Sequence, residues 1–140
     1  MIEAIPFKNP ELILFWENFS RHQEFNGPAF VELQQNTDDE TAVRILARFT
    51  ENLKEAAIEI ELALKGSDSL RVSKAAHKIA GTCELLGFKE YGLRAKSLSA
   101  RLKSNTAFSE ISYEISGFMN ETIDLFAQIQ SACPNLKSYL

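Results

Sequence analysis

The chain has 140 residues, 45% of them hydrophobic and 24% charged, and its 15 Lys and Arg against 19 Asp and Glu give a formal net charge of −4. That length holds a single core, the apolar share is too high for a disordered chain, and an acidic chain without a basic run lacks the electrostatic footprint of a nucleic-acid binder. Six glycines and four prolines are too few for many short strands joined by turns, which points to a few long helices.

In chain order, Asn9 followed by Pro10 predicts a capped helix start. This first helix carries Leu12, Phe15, Trp16 and Phe19 on one stripe and is expected to fray between His22 and Asn26. The apolar run Leu12 to Trp16 is far short of the ~20 residues that span a bilayer. It has neither a basic leader nor a small-residue cleavage site, so no membrane segment is expected and the expected location is cytoplasmic. Gly27-Pro28 breaks the chain and starts a short helix with Phe30, Val31 and Leu33. Residues 1–36 thus read as an N-terminal helical extension whose aromatic residues cover one end or flank of the remainder.

Thr37 and Glu40 read as a capping box, with Asp38 and Asp39 adding negative charge where the helix dipole favours it. A long helix follows, with Val43, Leu46, Phe49, Leu53, Ile60 and Leu64 at steps of three and four, and Gly66 is expected to close it in the left-handed conformation. Ser67 or Asp68 starts the next helix, which runs to a second glycine stop at Gly87. From there Phe88, Tyr91, Ala95, Leu98 and Leu102 form a bundle seam. Ser104-Asn105-Thr106 is expected to cap a last helix, in which Phe108, Ile111, Ile115, Phe118, Thr122, Leu125 and Ile129 keep the same period until Pro134. No segment sustains two-residue alternation. The expected architecture is all-α: an up-and-down antiparallel four-helix bundle over residues 37–134, carrying the N-terminal helical extension.

No Gly-rich phosphate loop, Walker lysine, nucleophile elbow or His-Glu-x-x-His zinc motif occurs. Cys83 and Cys133 have no Cys or His partner at zinc spacing and read as reduced thiols, so no metal site is expected. Chemistry, if present, therefore belongs on the outside of the helices. At 100° per residue, Val72, Ala75, Ala76, Ile79, Cys83 and Leu86 fall on the side of their helix opposite His77, which places His77 towards solvent. Ser73, Lys74, Ala80, Gly81 and Glu84 are expected on the His77 face, with Leu70 further towards the start. A mid-helix glycine costs about 1 kcal/mol relative to alanine. Gly81, one turn beyond His77 on the same exposed stripe, removes the side chain that would shield the imidazole. His22, in a polar fraying segment, reads as a surface residue, and Thr82 as a packing residue.

The segment Ala76-His77-Lys78-Ile79-Ala80-Gly81-Thr82, followed by Leu85-Leu86-Gly87-Phe88, resembles the signature of the histidine-containing phosphotransfer (HPt) family, and the likeness extends more weakly over residues 38–105. The resemblance implies a helical bundle whose exposed histidine, here His77, takes a phosphoryl group from a receiver-domain aspartyl phosphate and passes it to another receiver. The implied partners are response-regulator receiver domains or a hybrid histidine kinase. The implied protein is a monomer with no cofactor of its own, the receiver bringing the Mg²⁺. A neutral imidazole is a competent nucleophile near pH 7, and a carrier that borrows its partner's metal need only position the ring. One position departs from the family pattern: where the family usually has a lysine three residues after the histidine, this chain has Ala80. Lys74, Lys78 and Lys103 are the candidates to lend positive charge, and Glu84 would oppose phosphate. Ser99 aligns with the position from which some members place a polar residue against the imidazole. Two other readings stand beside this one: an HPt-like interaction module that binds a receiver or kinase without accepting phosphate, and a structural bundle that associates through its N-terminal aromatic helix.

Overall fold

A computed structural model describes residues 5–104 and 106–140 of the chain. Among the described residues every regular element is helical: α1 Pro10–Phe19, α2 Gly27–Asn36, α3 Asp39–Gly66, α4 Ser69–Leu86, α5 Lys89–Lys103, α6 Phe108–Ala132, and a short 3-10 turn at Leu136–Tyr139. None of these helices is long and apolar enough to cross a membrane.

The helix starts follow local chemistry. Asn9 accepts the backbone N–H groups of Glu11 and Leu12 at 2.9 and 3.3 Å, with Pro10 at the first helical position where its missing donor costs nothing. Asn26 does the same for α2 through the Ala29 N–H at 3.3 Å. At α3 the cap is Asp38, not Thr37. The Thr37 hydroxyl donates to the Leu33 carbonyl at 2.6 Å and so closes α2, which leaves the Asp38 carboxylate to accept the Thr41 N–H at 2.7 Å. Asp39 is also engaged. Its Oδ2 accepts the N–H groups of Lys8 and Asn9 at 2.7 and 2.8 Å, tying the segment before α1 to the start of α3.

Of the two expected glycine stops, one differs from expectation. Gly66 remains helical, and it is Ser67 that adopts the left-handed conformation, with φ of 53°. The turn comes one residue later because the Asp68 N–H returns to the Ala63 carbonyl at 3.0 Å, which sets the Asp68 side chain to cap α4 on Arg71. Gly87 ends α4 as expected, with φ of 97° and its own and the Phe88 N–H closing back on Glu84 and Cys83. Space also demands glycine here, since a Cβ would lie 2.7 Å from the Asn26 carbonyl oxygen and 2.8 Å from the Phe25 ring. The expected cap of α6 is not formed by a side chain: Ala107 precedes the helix, Ser104 Oγ donates to Arg101 O at 2.9 Å and so closes α5, and Asn105 lies outside the described residues.

The helices pack as a bundle. α4 lies along α5, α3 packs on both α4 and α6, and α5 meets α6. The periodic residues are the core: Val43, Leu46, Phe49, Leu53 and Ile60 of α3, Tyr91, Ala95, Leu98 and Leu102 of α5, and Ile111, Ile115, Phe118, Thr122, Leu125 and Ile129 of α6 are all buried. The N-terminal aromatics belong to the same core. Phe15, Phe19 and Phe25 surround Phe88 at centroid distances of 6.2, 5.8 and 5.4 Å, and Phe88 stacks on Phe49 of α3 at 5.8 Å. Fully burying one such side chain is worth roughly 1.5–3 kcal/mol, so α1 and α2 are fixed to α3 and α4 by much more than a tether. Arg94 of α5 reinforces the junction by reaching Glu24 before α2 and Glu121 on α6, each at 2.8 Å.

Candidate functional site

α4 buries Val72, Ala75, Ala76, Ile79, Cys83 and Leu86, and this apolar side fixes the rotation of the helix about its axis. His77 is accordingly exposed, and Lys74, Gly81 and Glu84 are exposed on the same stripe, with Leu70 59% exposed towards the start of the helix. A methyl group at Gly81 would touch nothing within 4 Å, so the space beside the imidazole is open. Ala80 is half-buried where the stripe turns towards α5.

Ser73 departs from expectation. It is turned only about 40° from His77 around the helix, yet it is 1% exposed because α5 covers it. Its partner is Ser99, also buried. The two hydroxyl oxygens lie 3.0 Å apart, Ser73 Oγ reaches the Ser99 carbonyl at 3.2 Å, and Ser99 Oγ reaches the Ser73 carbonyl at 3.1 Å. Ser99 therefore spends its hydrogen bonds on the α4 backbone and on Ser73, and it forms none with the His77 imidazole. Its effect on the site is to fix how α5 lies against α4. A second fixed point lies two turns away, where a Cβ on Gly92 would come 2.6 Å from the Cys83 Cβ and 3.8 Å from the Ala80 carbonyl oxygen. Only glycine allows the two backbones to approach that closely. This accounts for one interior glycine that the hydrophobic pattern leaves without a role.

The structure separates the candidate cations. Lys78 turns away from the α5 seam and pairs with Glu55 of α3 at 3.5 Å. Arg71 likewise reaches across to Glu59 of α3, and Arg101 pairs with Glu114 of α6. Lys74 and Lys103 are exposed and form no ion pair among the described residues. With Ser99 level with Ser73, Lys103 falls near the level of Leu70, about 10 Å along the axis from His77. The lysine that falls level with His77 is Lys96, midway between the Gly92 and Ser99 fixed points. Sequence reasoning passed over it, although the seven-residue spacing of Lys89, Lys96 and Lys103 on one face of α5 was available as a signal.

The remaining reactive groups lie elsewhere. The Cys83 thiol is on the buried side of α4, donates to the Ile79 carbonyl at 3.2 Å, and is pushed up to about 12 by burial, which keeps it protonated and unreactive. His22 is exposed in the α1–α2 connection, where its Nδ1 accepts the Glu24 N–H at 3.4 Å. Among the described residues no group of three or more His, Cys, Asp or Glu is placed to hold a metal ion. Comparison with family models, with curated proteins and with solved structures returns no match for the chain.

Proposed function

We propose that the chain is a cytoplasmic phosphorelay carrier of the histidine phosphotransfer type, a monomeric up-and-down four-helix bundle, α3 to α6, in which His77 is the phospho-acceptor. One observation carries the reading: an imidazole exposed in the middle of a long helix whose other side is core, one turn from a glycine that leaves the approach to the ring open. In the proposed reaction the Nε2 lone pair attacks the phosphorus of a receiver's aspartyl phosphate. A P–N bond forms, the P–O bond to the aspartate breaks, and the carboxylate leaves with the electron pair while Nδ1 keeps its proton. The return reaction on a second receiver reverses these bonds. The receiver's own Mg²⁺ neutralises the phosphoryl charge in transit, and α4 supplies the fixed position of the ring.

The test is labelling by a phosphorylated receiver domain. Wild type is expected to gain an acid-labile, base-stable phosphoryl group, and His77→Gln to gain none; a His77→Gln protein that is still labelled refutes the assignment. The alternative reading, an interaction module that binds a receiver or kinase without accepting phosphate, draws on Ala80 at the position where the family carries a lysine and on Ser99 being engaged with Ser73. Equal receiver binding by wild type and His77→Ala, with no transfer over hours, would establish that reading instead.

A further inference from the structure

We propose that Lys96, on the neighbouring helix α5, is the cation that holds the phosphoryl group on His77, taking the part that Ala80 leaves unfilled on α4. The inference rests on the carrier reading and adds to it a residue. Two fixed points set the register of α4 against α5: Ser73 with Ser99, joined by the hydroxyl and carbonyl contacts at 3.0 to 3.2 Å, and Cys83 and Ala80 with Gly92, in near-contact. The helices run in opposite directions, so the level midway between these points is His77 on α4 and residues 95 to 96 on α5.

Rotation then separates the last two. Ala95 is fully buried, and it is turned towards the core from Ser99 just as Ala76 is from Ser73. His77 lies about 40° from Ser73 in the opposite sense, and Lys96 about 60° from Ser99 in the opposite sense. Both are therefore on the outer flank of the same seam, and both are exposed. Lys74 stands one turn before His77 on its other side, so a group attached to Nε2 emerges between two lysines.

Charge on this flank supports the same assignment. Lys89, Lys96 and Lys103 form a straight row on α5, a seven-residue spacing returning to within about 20° of the same direction. None of them is ion-paired among the described residues, whereas Lys78, Arg71, Arg94 and Arg101 all are. Four lysines, Lys74 included, face one carboxylate, Glu84, on a chain with a net charge of −4. Lys96 is the member of the row placed at the reacting level, where a positive charge acts on the phosphoryl group.

Phosphoramidate separates this inference from partner docking, because it is a small donor: His77 Nε2 attacks phosphorus, the P–N bond of the donor breaks and ammonia leaves. Phosphorylation of His77 is followed by phosphorus NMR in wild type, Lys96→Ala, Lys96→Arg and Lys89→Ala, with thermal melts showing that each variant is folded. A charge-assisted contact to the phosphoryl oxygens predicts that Lys96→Ala slows phosphorylation at least about tenfold. Lys96→Arg, which keeps the charge, restores the rate to within about threefold of wild type, and Lys89→Ala, two turns away, stays within about twofold. A Lys96→Ala rate within twofold of wild type, or equal losses in Lys96→Ala and Lys89→Ala, overturns the inference and leaves the carrier reading in place. A wild type that neither phosphoramidate nor a phosphorylated receiver labels overturns both.

Discussion

Replacing Gly81 with alanine sets stability and function in opposition, and the structure supplies both signs. The position is inside α4, where alanine is favoured over glycine by about 0.8–1 kcal/mol through the lost backbone entropy of the unfolded chain. The added methyl would meet no atom within 4 Å, so nothing offsets that gain. For 140 residues an unfolding entropy of about 2.1 cal/mol/K per residue converts 1 kcal/mol to a rise of about 3 °C in the melting temperature. In the carrier reading the same methyl stands one turn from His77 where a partner must come close, and overfilling a fitted surface costs about 1–3 kcal/mol. Receiver-dependent transfer should fall roughly fivefold or more, while phosphoramidate labelling, which needs no docking, stays near wild type. Two other glycines serve as controls. Gly117→Ala on α6 is equally unobstructed and should give the same stabilisation with transfer unchanged; Gly92→Ala would place its Cβ 2.6 Å from that of Cys83 and should lower the melting temperature by several degrees. Differential scanning calorimetry and a stopped transfer assay read the two effects. A Gly81→Ala protein that melts lower refutes the helix reasoning, and one that melts higher but transfers at the wild-type rate refutes the role given to the open space beside His77.

The Ser73 and Ser99 hydroxyls should behave as one unit. Each serine-to-alanine change should cost about 1 kcal/mol by urea unfolding, and the double change clearly less than the two losses added together, because each hydroxyl is partner to the other; additive losses would show that the seam is not held by this pair. Acidification should destabilise the protein. Glu24 is lowered by its hydrogen bond from Arg94, Glu59 by its hydrogen bond from Arg71, and Asp38 by the Thr41 N–H. Groups depressed in the folded state contribute stability that is present above the unfolded carboxylate range, near pH 4, and lost as pH falls through their folded values. Melting temperature should therefore decline below about pH 4.5, and a melting temperature that rises there would contradict the assigned contacts.

The helices were legible because their boundaries are written in local chemistry. Asn9 before Pro10, the break at Gly27-Pro28, and the glycine stop at Gly87 each act within a few residues of their own position. Where two neighbouring residues compete for one task, sequence does not choose between them. Thr37 and Asp38 both suit an N-cap, and the outcome follows from the Leu33 carbonyl taking the Thr37 hydroxyl. Gly66 and Ser67 compete similarly for the left-handed position, and the serine holds it. The site was legible in the part that depends on one helix: the rotation that exposes His77 follows from the apolar residues of α4 alone. Ser73 was misplaced because a helical wheel gives an angle but not the direction from which the next helix arrives, and Lys96 stayed unnoticed for the same reason.

In the carrier reading, the seam itself gives the reason for α5 to bear on the chemistry of α4. On both sides it is lined by small residues, Ser73, Ala76 and Ala80 on α4 and Gly92, Ala95 and Ser99 on α5, all buried except the half-buried Ala80 and each too small to hold the backbones apart. Helix pairs pack at 8–10 Å depending on the side chains at the contact, and a contact of this composition belongs at the short end of that range. Close approach brings the outer flank of α5, with its row of lysines, alongside the outer flank of α4, with His77. A bulkier seam would carry the row away from the imidazole, and a charge that acts on the phosphoryl group would then have to come from α4 itself. Gly92→Ala thus gains a second meaning in the carrier reading: in the fraction of protein that remains folded, phosphoramidate labelling of His77 should slow along with Lys96→Ala, whereas Gly117→Ala, which alters no helix contact, should leave it unchanged.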